Sequence, residues 1–300
     1  MTAELQVLHL SDTHLLGDGS LHVGVTDTAA ALNRVLRRAD ALRHIDAVVM
    51  SGDLTDDGSA ESYRLLRSIV EPWAQDRGAQ VVYVMGNHDG RDGFEAVIGQ
   101  RTGVSTVRGV RFLRLDSSVP GYGYGSIDAA QLAWLRGELA TPAEQGSVVV
   151  LHHPPVGATT PLLQALELEN RDELMDVLAG TDVRLILAGH FHHSLTTTVR
   201  GIPLIVAPGI TNTTDVLATP GHERAVVGSG AVVVTLPLTD GTTHDPRTSS
   251  YPIGEVPPPI ARFFTAPSAH DGDQAYDFDP AAVEARAAKA GKPGKPGAPQ

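Results

Sequence analysis

The chain has 300 residues, 42% hydrophobic and 19% charged, the proportions of a globular protein that buries a full core. Its 23 Lys and Arg against 35 Asp and Glu leave a formal charge of −12, which excludes a broad electrostatic footprint for nucleic acid or anionic lipid. There is no cysteine, so disulfides and thiolate–metal chemistry are excluded, and no run approaches the ~18 apolar residues of a membrane span.

The N-terminus, MTAELQVLHLSD, lacks the basic and apolar regions of a signal peptide, and a cytoplasmic location is expected. β-branched or Leu-rich runs predict strands at Gln6–Leu10, Ala47–Met50, Gln80–Met85, Arg111–Leu115, Ser147–Leu151 and Arg184–Ala188. Helical periodicity alternates with them. Thr26–Arg43, with Thr26 as N-cap, places Ala29, Leu32, Val35, Leu36, Ala39 and Leu42 on one face. Ser59–Trp73 and Asp128–Leu139 show the same period, and Asn170–Leu178 opens on a capping Asn170. This alternation predicts βαβ units with parallel pairing. A hairpin around Arg200-Gly201 within Thr197–Val206, then a strand at Ala231–Leu238, predict a more antiparallel end. The Pro-rich Val256–Phe264 is expected to pack back on the domain or on a partner. Residues 1–264 then form one domain. Residues 265–300, ending AGKPGKPGAPQ, are expected to be a flexible tail with at most a short helix at Ala281–Lys289.

The chemistry lies in the short segments just after the strands. Gln6–Leu10 leads to SDTH, with Asp12 and His14, and Ala47–Met50 to SGDLTDDG, with Asp53 and Asp56. Gln80–Met85 leads to GNHD, with Asn87, His88 and Asp89; Ser147–Leu151 to HHPP; and Arg184–Ala188 to GHFHHS. In an open parallel sheet the carboxyl ends of strands lie along one edge, where ligands bind. Each motif alone has a plainer reading, as a turn, an N-cap or a polar strand end. Five of them delivering Asp, His and Asn to one edge point instead to metal. Carboxylate oxygen and imidazole suit zinc, iron or manganese, and an amide oxygen suits a harder ion. Asp12, His14, Asp53, Asn87, His152, His190 and His192 are too many side chains for one ion. Two ions roughly 3.5–4 Å apart, bridged by one carboxylate, use all seven. Residues two apart in an extended segment point the same way, so His190 and His192 are expected to reach adjacent ions while Phe191 and His193 turn away.

In chain order, Asp12-Thr-His14, Gly52-Asp53-Leu-Thr-Asp56, Gly86-Asn87-His88-Asp89, His152 and Gly189-His190-Phe-His192 resemble the motifs of the calcineurin-like metallophosphoesterases, over residues 7 to about 210. SVPGYGYGSIDAAQLAWLRGEL and GTDVRLILAGHFHHS are similar to the class III cyclic-nucleotide phosphodiesterases. The resemblance implies an α/β fold, a four-layer αββα sandwich of two mixed sheets. It implies Asp12, His14 and His192 on one ion, Asn87, His152 and His190 on the other, and Asp53 bridging. Iron with manganese is the implied pair, with zinc, cobalt or nickel as alternatives. A hydroxide bridging them would attack phosphorus in a 3′,5′- or 2′,3′-cyclic nucleotide. The resemblance gives His88 the task of stabilising the transition state or protonating the leaving oxygen, with Asp56 fixing its tautomer. For Asp56, a capping carboxylate at the start of Ser59–Trp73 stays open. Glycerophosphodiesters or a broad range of phosphoesters are alternative substrates, and a non-catalytic metal-binding scaffold is the alternative of a different class. A homodimer is implied, and a nucleic-acid partner is not expected. One departure stands out: where the mycobacterial members carry a His-rich turn, this chain has Gly121-Tyr-Gly-Tyr124-Gly.

Overall fold

The computed structural model describes residues 4–219, 222–239 and 258–267, together with the backbone of 275–278. The elements in chain order begin β1 (Glu4–Leu10), α1 (Thr28–Ala39), β2 (Ala47–Ser51), α2 (Ala60–Gln75), β3 (Gln80–Val84) and α3 (Arg91–Val97). Then come β4 (Gly103–Val107), β5 (Val110–Arg114), α4 (Ala129–Leu139), β6 (Ser147–Val150), α5 (Pro161–Gln164), α6 (Arg171–Leu178) and β7 (Val183–Ala188). β8 (Leu195–Val199), β9 (Ile202–Val206), β10 (Thr213–Thr214), β11 (Glu223–Val226), β12 (Gly230–Pro237), β13 (Ile260–Thr265) and β14 (Ala275–Phe278) follow among the described residues.

Two mixed sheets result. One has the order β13-β12-β1-β2-β3, with β1, β2 and β3 parallel, β12 antiparallel to β1, and β13 antiparallel to β12. The other has the order β4-β5-β6-β7-β9-β8, in which β5, β6, β7 and β9 run parallel and β4 and β8 are antiparallel edges. Side-chain alternation explains their stacking. Val7, Val49 and Val84 of the first sheet meet Phe112, Val150 and Leu187 of the second in a core between the sheets. The opposite face of the first sheet buries Leu8 and Met50 against Leu32 and Val35 of α1 and Leu66 of α2. The outer face of the second buries Val149 and Ile186 against Leu135 of α4 and Leu174 of α6. Each such apolar side chain contributes roughly 1.5–3 kcal/mol of burial, and the result is the αββα sandwich expected. Among the described residues no helix is long and apolar enough to cross a membrane.

The hairpin at Arg200-Gly201 forms as predicted, both residues taking the positive φ (47° and 85°) of a two-residue turn that matches strand twist. Two predicted caps differ. Asp27, not Thr26, caps α1 by accepting from the Ala30 N–H, because the Thr26 backbone is engaged with His22 in a short antiparallel bridge. Asn170 precedes α6 but its side chain does not cap it. Its amide accepts from Ile127 N and donates to Ile127 O, tying α6 to the chain entering α4. β13 runs to Thr265, Ala266 is buried with its N–H on Ser229 O, and β14 pairs with β11 in a small sheet with β10. The predicted Ala281–Lys289 helix lies outside the described residues, as do residues 256 and 257 of the Pro-rich stretch; of its remainder, β13 pairs with β12.

Two buried polar groups brace the first sheet. Asp89, after β3, accepts from the N–H groups of Leu54, Thr55 and Gly86 and the hydroxyls of Thr55 and Tyr63, at 2.8–3.1 Å. One carboxylate therefore locks the loops after β2 and β3 together. His9, in β1, is fully buried with Nε2 2.8 Å from Ser51 Oγ, and burial pushes its pKa down to about 3 despite Asp12 nearby.

Replacing Asp89 by Asn turns a donor group toward donors, and the denaturant midpoint is expected to fall by the equivalent of about 3 kcal/mol. His9 stays neutral in the fold but protonates near pH 6.5 once unfolded, so the stability it supports is present above that pH and lost as pH falls toward 3. Denaturant titrations at pH 6 and pH 5 should show His9→Gln losing roughly 1 kcal/mol less than the parent across the interval. Equal losses would rule His9 out as the responsible group.

Candidate metal centre

The parallel strands of both sheets end at the same rim, and the seven expected side chains converge there. Asp12 and His14 come after β1, Asp53 after β2, Asn87 after β3, His152 after β6, and His190 and His192 after β7. The strand ends do not deliver them in extended conformation. Asp12, His14, Asp53, His190 and His192 have φ of 54°, 44°, 47°, 71° and 53°, in the left-handed region that costs non-glycine residues energy. Backbone hydrogen bonds hold them there, including Asp12 N to Gly52 O (3.0 Å), His14 N to Asp53 O (2.9 Å) and Thr211 N to Asp12 O (3.1 Å). The approach is so close that a Cβ on Gly52 would lie 2.5 Å from His152 Nδ1, and one on Gly189 would fall on the Ser11 hydroxyl.

This backbone corrects the expected reason for the separation of His190 from His192. Their segment is a left-handed turn beyond β7, not a strand. The sorting of side chains is nevertheless as expected. His192 reaches Asp12, with Nε2 3.2 Å from Oδ1, and His190 reaches His152, with Nδ1 3.2 Å from Nε2. Phe191 is buried in the helix-side core, and His193 stacks on it, ring centroids 5.8 Å apart.

Ligating atoms of Asp12, His14, Asp53 and His192 all lie within 4.8 Å of one another. Asp53 Oδ2 stands between two imidazoles, 3.6 Å from His14 Nε2 and 3.3 Å from His152 Nε2. The far side of each ring fixes its tautomer. A carbonyl can only accept, so His152 Nδ1 donates to Ser51 O (2.8 Å) and His190 Nε2 to Leu166 O (2.9 Å). His192 Nδ1 faces Asn212 Oδ1 (2.9 Å) and His14 Nδ1 faces Asp56 Oδ1 (3.1 Å). In the neutral rings the inward nitrogens then carry lone pairs, yet they meet at 3.2 Å (His190–His152) and 3.4 Å (His14–His192). Desolvation opposes charge on His152 and His192, but Asp53 raises the pKa of the first to about 9 and Asp12 raises that of the second. A positive charge is therefore favoured among these nitrogens and carboxylates, as a proton or as a cation. The buried Asn87 Oδ1 has no hydrogen-bond partner, as an amide oxygen meant for an ion would. The donor set therefore fits metal ions.

Charge obeys the same geometry. Burial disfavours ionised Asp12 and Asp53, but His192 and His152 respectively hold the two carboxyls below the usual carboxylate range. Burial keeps His14 and His190 neutral by lowering both. His88, its side chain 42% exposed, has Nδ1 3.0 Å from Asp56 Oδ1; desolvation opposes its charge, but Asp53 and Asp56 carry its pKa up to about 9. Asp56 does not cap α2, a task taken by Ser59. Its Oδ1 instead serves His14 and His88 together. His153 lies within 4.8 Å of His152 and His190, but Ser117 Oγ (2.8 Å) and Gly123 O (3.1 Å) occupy both its ring nitrogens.

The sequence reading missed Asn212, which orients His192, and His22, whose Nε2 lies 3.6 Å from Asp56 Oδ1 and whose Nδ1 meets Thr211 Oγ1 at 3.1 Å. A signal existed for the first: β9 is also a parallel strand, and Asn212 lies in the loop after it. No strand precedes His22 closely enough to mark it.

The calcineurin-like phosphoesterase family matches residues 5–194. A probable cyclic nucleotide phosphodiesterase of Rhodococcus erythropolis is 44% identical over 231 residues, 74% of this chain and 76% of that protein. A cAMP/cGMP dual specificity phosphodiesterase of Mycobacterium tuberculosis is 41% identical over 232 residues, covering 74% and 73%. Among solved structures, a dimetal phosphatase from Danio rerio superposes with a TM-score of 0.52 at 16% identity, over 76% of this chain and 95% of that one, a likeness of fold. With its motifs gathered at one rim of an αββα sandwich, the chain belongs to the calcineurin-like phosphoesterases.

Proposed function

We propose that this protein hydrolyses phosphodiesters, cyclic nucleotides foremost, at a two-metal centre. In this reading Asp12, His14 and His192 hold one ion, Asn87, His152 and His190 hold the other, and Asp53 lies between them. Iron with manganese suits the oxygen- and imidazole-rich donor set, and zinc, cobalt or nickel are the alternatives. The observation that carries the proposal is the facing of ring nitrogens at 3.2 and 3.4 Å beside the Asp12 and Asp53 carboxylates, with Asn87 Oδ1 orphaned alongside. The preference for cyclic nucleotides rests on the names of the relatives at 44% and 41% identity.

Bound ions would neutralise charge on the phosphoryl oxygens and lower the pKa of coordinated water to about 7. The chain's own residues supply the rest. Ser51 O, Leu166 O, Asn212 and Asp56 hold the imidazoles with lone pairs turned inward. His88 is the partly exposed titratable group beside Asn87, and Asp56 holds its Nδ1. Its Nε2 proton is then available to the oxygen leaving phosphorus. The −12 net charge makes a local cation necessary to draw in an anionic substrate.

His88→Ala should lower kcat by about 10²–10⁴-fold while metal content, read by mass spectrometry, stays at the parent level. Asn87→Ala should instead lose metal from one site at concentrations that saturate the parent. Parent-level hydrolysis by both variants would refute these roles. A panel of 3′,5′-cAMP, 2′,3′-cAMP, glycerophosphodiesters and bis-p-nitrophenyl phosphate, ranked by kcat/KM, tests the substrate. A cyclic nucleotide should lead it, and equal low rates on every diester would remove the cyclic-nucleotide preference.

A further inference from the structure

Three imidazole nitrogens face one carboxylate oxygen at the rim. Asp56 Oδ1 lies 3.0 Å from His88 Nδ1, 3.1 Å from His14 Nδ1 and 3.6 Å from His22 Nε2. His88 and His14 have tasks in the reading above; His22 has none. Yet a turn of unusual backbone delivers it. Val23 and Gly24 both take positive φ, 47° and 74°, and His22 N to Thr26 O (2.9 Å) and Val25 N to His22 O (3.0 Å) close the turn. Glycine tolerates that region, whereas a β-branched valine there is an outlier, of a kind that costs on the order of 1–3 kcal/mol and gathers at functional sites. Val23 is exposed, so its own packing does not account for the strain. The residue that the turn buries is His22, 5% exposed, its ring centroid 4.9 Å from that of His14.

Both ring nitrogens of His22 are engaged. Nδ1 meets Thr211 Oγ1 at 3.1 Å, and Thr211 is itself fixed by its N–H on Asp12 O (3.1 Å). Burial, with His14 alongside, pushes the pKa of His22 down to about 3 against the pull of Asp56, so the ring is neutral and carries one N–H. A lone pair turned on a carboxylate would be repelled. The proton therefore sits on Nε2, and Nδ1 accepts from the Thr211 hydroxyl. At 3.6 Å the Nε2–H group is too far from Asp56 for a hydrogen bond, and it acts on the carboxylate as a dipole in surroundings that water screens little. A third positive group beside Oδ1 opposes any swing of the carboxylate toward solvent, to which 27% of the Asp56 side chain is open. Resting on the phosphodiesterase reading above, in which His88 gives its Nε2 proton to the leaving oxygen, we propose that His22 is a positioning residue that steadies Asp56 and thereby the aim of His88. Its contribution then shows only where the leaving oxygen needs that proton.

The test uses two esters that differ in the leaving oxygen, methyl p-nitrophenyl phosphate and methyl phenyl phosphate, with the zinc-loaded full chain. Phenolate is the more basic and gains more from a proton. His22→Leu keeps bulk at the site and removes the N–H. It should lower kcat on the phenyl ester about tenfold and on the nitrophenyl ester less than about twofold, with KM and metal content at the parent level. His22→Gln, which keeps an N–H, should stay within about twofold of the parent on both. Added to His88→Ala, His22→Leu should cost nothing further, since it acts through His88. An unchanged kcat or an equal loss on both esters in His22→Leu, loss of metal, a Gln variant as impaired as the Leu variant, or a further loss in the His88→Ala background would overturn the proposal. Crystal structures of the zinc-loaded chains need no turnover. Asp56 Oδ1 should stay near 3.0 Å from His88 Nδ1 in the parent and in His22→Gln, and turn away in His22→Leu. An Asp56 unmoved in His22→Leu would also overturn the positioning role. A parent that cleaves neither ester counts against the phosphodiesterase reading, while the structures still decide His22.

Discussion

Asp53 Oδ2 stands 3.3 Å from an imidazole delivered by the second sheet, His152, and 3.6 Å from one delivered by the first, His14. That crossing depends on the distance between the sheets, which the apolar layer of Val7, Val49 and Val84 against Phe112, Val150 and Leu187 sets. The bond from His152 Nδ1 to Ser51 O spans the same gap and ties the rim of one sheet to the other. Thinning the inter-sheet core would therefore move donors relative to one another. Packing at the middle of the sandwich and chemistry at its edge are one problem.

The edge itself is assembled against local preference. Five of the candidate ligands sit at left-handed φ, each costing on the order of 1–3 kcal/mol, and imidazoles and carboxylates are crowded together. The surrounding hydrogen bonds hold the arrangement. Asp89 collects five donors from two loops and from Tyr63, and Asp56 serves two histidines with one oxygen. Strain of this kind persists where neighbouring structure over-determines it. The outer loops carry less of this burden. The Gly-Tyr-Gly-Tyr-Gly turn keeps Gly123 against Leu166 and Gly125 against His153.

Periodicity and strand-end polarity made much of this legible in one dimension. Alternation of apolar residues located the central strands within a residue or two, and helix periods located α1, α2, α4 and α6, because burial on one face leaves a repeating trace. The convergence of the seven candidate donors was readable because parallel strands end on one side, so that position along the chain stood in for position in space. The caps were less so. Thr26 and Asn170 have the right chemistry for capping, but the backbone of Thr26 is committed to His22 and the amide of Asn170 to Ile127, partners far away or out of phase. β14 lies in a stretch for which no strand was predicted, for a related reason. A strand such as β14 with few bulky neighbours in sequence finds its partner, β11, about fifty residues earlier.

Residue types and their order determined the set of candidate metal ligands, the alternation of strands and helices and the absence of thiol chemistry, since these depend on which groups exist and on local period, while the αββα layering was implied by the motif resemblance alone. Tertiary structure alone decided the hydrogen-bond partners of each imidazole, the sharing of Asp56 between His14 and His88, the pairing of both His153 nitrogens and the recruitment of Asn212 and His22. Those outcomes turn on ångström-scale distances between side chains many residues apart. A hydrogen-bond partner is chosen by direction and reach in space, and no spacing along the chain encodes either.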